Sequence, residues 1–284
     1  MSSSIPRRVV FNQKGGVGKS TITCNLAAIS ASQGLRTLVV DLDPQGNSSH
    51  YLLGDAAEDE GLTLAELFDQ SLRFSLRPQA TADFVTATPF ENLSLLRSSP
   101  ALEDLQGKLE SRYKIFKLRE SLDELGAQFD VIWVDTPPAM NFYTRSALIA
   151  ATGCLIPFDC DDFSRRALYS LLENIDEIRA DHNPALKVEG IVVNQFQPRA
   201  SLPQRVVQSL IDEGQPVLQP YLSASVKIRE SHERALPMIH LDARHKLSQE
   251  FASLHEAVQP APKRKAARKT AGKSTGKAAS ESAA

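Results

Sequence analysis

The stretch that most constrains this chain is Phe11-Asn12-Gln13-Lys14-Gly15-Gly16-Val17-Gly18-Lys19-Ser20-Thr21, a glycine-rich turn between a short apolar run and an amphipathic one. Glycines let the backbone curl until its N–H groups converge, and a helix beginning near Lys19 would bring its positive dipole end to the same point. Gly15, Gly16, Val17 and Gly18 would then cradle phosphate, with Lys19 reaching the terminal phosphates, Ser20 ligating Mg²⁺ and Thr21 beside them in the first turn. The usual phosphate-loop pattern is G-x-x-x-x-G-K-[ST]. Here Gln13 stands at the first glycine position and a second lysine, Lys14, sits at the front of the loop. One lysine can neutralise a β/γ-phosphate pair within one chain, so Lys14 needs its own explanation.

Along the chain, apolar runs at 9–11, 37–41, 93–96, 131–135, 154–158, 188–194 and, more weakly, 217–219 read as strands. Between them, 19–32, 63–70, 102–126 in one or two pieces, 142–150, 164–180, 202–213 and 243–258 read as helices. Continuous Val/Ile/Leu strands separated by helices predict an α/β fold, a mostly parallel twisted sheet with helices on both faces in three layers. Ligands in such sheets sit at the carboxyl ends of the strands, where the glycine loop already lies.

Residues 1–8 read as a short extension without an apolar signal core, and no run approaches the length of a bilayer span. A cytoplasmic protein with no membrane partner is expected. Cys24, Cys154 and Cys160 lack metal-type spacing and read as reduced, mostly buried thiols. The formal net charge is −2, yet Lys263, Arg264, Lys265, Arg268, Lys269, Lys273 and Lys277 face the single acid Glu281 beyond Gln259. That segment, 259–284, has no large apolar side chain and is expected to be disordered, leaving 9–258 as one acidic folded domain.

Three later segments supply groups for the glycine loop. In Val40-Asp41-Leu42-Asp43-Pro44-Gln45-Gly46-Asn47, two acids flank one apolar residue, so an extended chain would point Asp41 and Asp43 the same way, beside the loop. Phe129-Asp130-Val131-Ile132-Trp133-Val134-Asp135-Thr136-Pro137-Pro138 is an apolar strand ending in an acid, with Asp135 placed to hold the Mg²⁺ water shell and 136–138 able to sense a γ-phosphate. Gly190-Ile191-Val192-Val193-Asn194 ends a further apolar strand in an amide that offers both donor and acceptor and could cap the strand.

The form K-G-G-x-G-K-[ST], with D-x-D-P-Q-G-N and D-T-P-P, resembles the deviant Walker A box of the ParA/MinD ATPases, a branch of the P-loop NTPases. The resemblance covers about 9–258, including 91–93 and 118–120. It implies ATP and Mg²⁺ as cofactors, and an ATP-dependent homodimer in which Lys14 reaches the partner's nucleotide. It further implies that Asp43 orients the attacking water, that Asp41 lies near the metal and that Asn194 bonds adenine. Members of the chromosomal ParA type bind DNA without sequence preference and are stimulated by a ParB-like partner, so nucleoid association is implied.

Val226-Lys227-Ile228-Arg229-Glu230-Ser231 is similar to the family's V-R-V-x-E-A, which places Lys227 on DNA phosphate with Arg229 nearby. The tail cations Lys263, Arg264, Lys265, Arg268 and Lys269 would add sequence-independent affinity through counterion release. Ser223-Ala224 and Arg166-Ala167-Leu168 depart from the family pattern and bear on which cargo is positioned. Two rival readings are a MinD-like membrane-cycling regulator and a metabolic or maturation ATPase such as an amidoligase or metallocluster carrier. The cysteines give no cluster ligand set, which argues against the carrier.

Overall fold

The computed structural model describes residues 5–74, 76–160 and 164–259; beyond Gln259 the expected disordered tail, with its five candidate DNA-binding cations, lies outside the described residues. In chain order the main elements are β1 (Arg7–Val10), α1 (Lys19–Ser32), β2 (Thr37–Asp41), α2 (Asn47–Leu53), α3 (Leu64–Gln70), β3 (Val85–Ala87), β4 (Leu93–Leu96), α4 (Leu102–Ser111) and α5 (Lys117–Leu125). There follow β5 (Val131–Asp135), α6 (Phe142–Ala150), β6 (Gly153–Asp159), α7 (Ser164–Asp181), β7 (Lys187–Asn194), α8 (Ser201–Asp212), α9 (Lys227–Glu233), α10 (Met238–Leu241) and α11 (Lys246–Val258).

The strands form one sheet in the order β3-β4-β2-β5-β1-β6-β7, parallel except for the edge strand β3. Alternation along the strands explains the three layers, because successive side chains leave opposite faces. Val9, Leu38, Val40, Ile132, Val134, Cys154, Ile156, Ile191 and Val193 feed a core shared with α3 to α8. Val10, Val39, Val131, Trp133, Leu155 and Val192 feed the other, closed by α1, α2 and α11. A strand buried on both faces has no polar alternate positions, which is why these strands read as continuous apolar runs.

The register brings the chemistry to one edge. Val10 and Asp41 both pair with Asp135, so the ends of β1, β2 and β5 lie side by side. On the other flank of β1, Asp159 pairs with Asn194 at the ends of β6 and β7. Residues 102–126 split into α4 and α5, and residues 217–219 form only an isolated bridge, Val217 to Ile191, rather than a strand. Pro216 and Pro220 flank that bridge and have no N–H to extend a ladder. All three cysteines are buried. Among the described residues, no helix is long and apolar enough to cross a membrane.

Candidate nucleotide-binding site

The glycine loop leaves β1 and enters α1 through Gly18, whose φ of 89° is left-handed and favours glycine. A Cβ there would stand 2.4 Å from the Asn194 amide nitrogen. Gly15 and Gly16, by contrast, face open space. Asn12 anchors the start of the loop, donating from Nδ2 to the Pro157 carbonyl (2.7 Å) and accepting from the Lys14 amide (2.9 Å).

The two lysines diverge. Lys19 is buried, and its Nζ donates to the Lys14 carbonyl at 3.0 Å; burial lowers its pKa, opposed by Asp135 and Asp43. Lys14 stays 40% exposed at the rim and pairs with Asp159 at 3.3 Å.

The carboxylates are held by hydroxyls. Asp41 accepts from both the amide and the Oγ of Ser49 at 2.8 Å, and from the Asp43 amide at 3.3 Å. Asp135 accepts from Ser48 at 2.8 Å and from Ser20. Ser98 completes the cluster by donating its hydroxyl to the Asp43 carbonyl and its amide to Ser49 Oγ. Burial is the main cause that lifts both Asp41 and Asp135 above the usual carboxylate range; for Asp41 the nearby Asp135 adds to it, and for Asp135 the nearby Asp43.

Asp43 lines the cleft of about 340 Å³ formed with Gly15, Gly16, Gly18, Lys19, Ser20, Thr21, Gln45, Asn47 and Pro138. Asp41 does not share that direction. β2 ends at Asp41 and the chain turns there, leaving Asp41 behind the cleft on Ser49. Thr136 likewise directs its hydroxyl to the Val10 carbonyl, so Pro138 is the residue of 136–138 that borders the cleft. Asn194 lies at the loop, donating to the Val17 carbonyl at 2.9 Å.

Next to the cleft is a larger cavity of about 780 Å³, bordered by Asn194, Gln195, 223–226, Ile228, Arg229, His232 and Phe251 among others. Arg229 therefore faces a cavity, while Lys227 pairs with Glu230 at 2.7 Å on α9.

These residues fit a nucleotide with a divalent cation. Three carboxylates and one buried ammonium would repel a bare polyphosphate. A cation between them and the phosphates relieves that repulsion and the raised carboxylate pKa values together. One hydroxyl and one or two carboxylates also suit Mg²⁺, which takes most of its other oxygens from water and phosphate. Ser48, Ser49 and Ser98 were not legible as site residues in the sequence. The one available signal is that 48–49 directly follow the D-x-D-P-Q-G-N turn.

A family model described as an AAA domain matches residues 8–188. The chromosome partitioning protein ParA of Myxococcus xanthus is 33% identical over 249 residues, 86% of this chain and 84% of that one. The chromosome-partitioning ATPase Soj of Thermus thermophilus is 34% identical over 238 residues, 81% and 86% of the two chains. Among solved structures, cobyrinic acid a,c-diamide synthase of Mycobacterium smegmatis with bound ADP and magnesium superimposes with a TM-score of 0.75 at 24% identity, covering 89% of this chain and 93% of that one. With its seven-stranded P-loop NTPase sheet and this match to full-length relatives, the chain belongs to the ParA/Soj partition ATPases of the ParA/MinD deviant Walker A family.

Proposed function

We propose that this protein is a Mg²⁺-dependent ATPase that dimerises on ATP, binds DNA without sequence preference in that state, and releases it after hydrolysis, so positioning a chromosome, plasmid or other cargo. The observation that carries the reading is the divergence of the two loop lysines: Lys19 is buried in its own cleft, whereas Lys14 lies at the rim and is directed away towards Asp159. A rim lysine on a phosphate loop is placed to serve a second phosphate chain, that of a facing subunit.

Within each site, Lys19 and the loop amides bind phosphate, and Ser20 and Asp135 would hold Mg²⁺, with Asp41 supporting from behind through Ser49. Mg²⁺ supplies charge neutralisation at the phosphates. Asp43, at the cleft wall, orients the attacking water. Of the cleft lining's Lys and His side chains, Lys19 is committed to phosphate and His232 to Thr21, so catalysis depends on positioning and charge and is slow until a partner acts. That partner is a ParB-like activator. Lys227 and the basic tail contact DNA phosphates, and the protein resides on the nucleoid. The metabolic-ATPase reading has less support, because the Myxococcus xanthus and Thermus thermophilus relatives, above 30% identical over most of the chain, carry partition names, whereas the synthase shares the fold.

The test is ATP-dependent dimerisation by light scattering. Lys14→Ala is expected to remain monomeric in ATP while still binding nucleotide. A variant that dimerises like the wild type would remove Lys14, and with it the main support for a shared site.

A further inference from the structure

Gly16, Gly18, Thr21 and His232 border both the phosphate cleft and the larger cavity beside it. Three of them belong to the glycine loop or α1. His232 is the one that comes from elsewhere in the chain, on α9. A ligand that spans the two compartments must pass it.

The ring is held for that position. One face stacks on Tyr51 at a centroid distance of 4.2 Å and an interplanar angle of 9°. Its Nε2 meets the Thr21 hydroxyl at 3.0 Å. Tyr51 is fixed in turn by the Ser231 hydroxyl and by Asn25 Nδ2 at 3.1 Å. Asn25 also donates to the Thr21 carbonyl at 2.8 Å and accepts from the Met238 amide at 2.8 Å. Three elements thus converge on Thr21: α1 itself, α2 through Tyr51, and the 231–238 segment.

We infer that His232 is a positioning residue for the bound nucleotide, acting on phosphate through Thr21 and drawing α9 against an occupied site. The chemistry follows from what each group can donate. A phosphate oxygen is only an acceptor, so a Thr21 hydroxyl facing phosphate donates its single proton there. It then accepts from His232 only if the imidazole carries its proton on Nε2. Nucleotide therefore selects one tautomer of His232 and completes a chain from Nε2–H through Oγ1–H to phosphate. With the site empty, the same hydroxyl can donate to an unprotonated Nε2. Because α9 also carries Lys227 and Arg229, occupancy of the cleft bears on the helix that presents those cations.

The inference rests on the nucleotide reading of the cleft, and one experiment separates the two. ADP with Mg²⁺ is titrated into wild type, His232→Ala and His232→Gln, with affinity read by fluorescence of a labelled ADP and imidazole ¹⁵N shifts read by NMR. Loss of a charge-assisted relay predicts about tenfold weaker ADP binding by His232→Ala, and binding within about threefold of wild type by His232→Gln, whose amide still donates. In the wild type, ADP should move the His232 Nε2 resonance to the protonated, pyrrole-type position. Hydrogen exchange at amides 227–233 should slow on ADP in wild type and much less in His232→Ala. Equal ADP affinity in wild type and His232→Ala, or an Nε2 resonance indifferent to ADP, overturns the inference. If the alanine variant misfolds, the wild-type NMR titration still decides. Failure of the wild type itself to bind ADP would instead overturn the nucleotide reading.

Discussion

The two ends of the sheet treat charge in opposite ways. At the amino end three arginines meet acids within the chain: Arg7 with Asp123 at 2.6 Å, Arg8 with Glu189 at 2.7 Å, and Arg36 with Asp130 at 2.7 Å. Arg8 goes further, donating to Gln259 and to the Val258 carbonyl, and lying over the Trp133 ring at 5.5 Å. At the carboxyl end Asp41 and Asp135 are buried together with pKa values raised, and hydroxyls rather than cations are their main partners. One end is closed electrostatically. The other keeps like charges together, an arrangement that a folded chain tolerates where a ligand completes it.

The comparison is most sharply tested at Asp43. Asp43→Ala is expected to lower ATP turnover by about 10²- to 10⁴-fold, the range for losing a positioned proton or water partner, and to hold the ATP dimer on DNA. Thermal stability should change little, since Asp43 borders the open cleft. Normal phosphate release would remove it from the reaction. Arg8→Ala makes the opposite change. Leaving Glu189 and the α11 terminus without their partner should destabilise by about 3 kcal/mol in urea unfolding, with ADP affinity unaltered. A loss of ADP affinity in that variant would mean that the ends are coupled and the contrast is false.

Much of this was legible because buried parallel strands and long helices announce themselves. The bounds of β2, β4, β5, α1 and α6 fall where the apolar pattern predicts. β3 escaped because three residues, none of them buried, give no alternation to detect. α2, α9 and α10 escaped because seven, seven and four residues are too short for a helical period. At the site, residue types were readable but directions were not. Asp41 and Asp43 part because the strand ends between them, and Thr136 turns back to Val10; both are tertiary facts. His232 carried no signal, since its meaning arises only when α9 lies against α1.

A histidine near the amino end gives a pH test of the contrast. His255 is buried beside Ser30, whose hydroxyl donates to the Leu26 carbonyl and accepts from Trp133 Nε1. His255 Nε2, at 2.8 Å, must then be the donor to Ser30, and Nδ1 has no partner among the described residues. A second proton would sit on Nδ1 with nothing to accept it. Burial, aided by Arg8, lowers the pKa to about 4. The unfolded chain binds that proton near 6.5, so the contribution of His255 to stability is full above that pH and shrinks as pH falls towards 4. The raised carboxylates have the opposite sign, costing stability near neutrality and less in acid. Comparing wild type with His255→Gln cancels them. The stability difference should shift by about 2 kcal/mol between pH 7.5 and pH 5 against the wild type. A flat difference would place the titration elsewhere.

The smallest effect concerns α9, which reaches the carboxyl-end cleft through His232 but carries its cations on other positions. Lys227 pairs with Glu230, holding that carboxyl below its usual range, and Arg234 approaches the same acid at 3.3 Å. Exposed pairs of this kind contribute little because solvent screens them, so Lys227 can exchange Glu230 for a DNA phosphate at little cost, and Arg234 can keep the acid partnered. Arg229 instead borders the large cavity. If DNA is bound through α9, Lys227→Ala should reduce the log–log salt slope of ATP-dependent DNA binding by about 0.9, one phosphate contact, whereas Arg229→Ala should leave the slope near that of wild type. The reverse result would mean that Arg229 leaves the cavity when DNA binds, and that the 227–233 helix rotates between the two states. Equal slopes in all three proteins would remove α9 from the DNA contact altogether and leave the sequence-independent affinity to the basic tail.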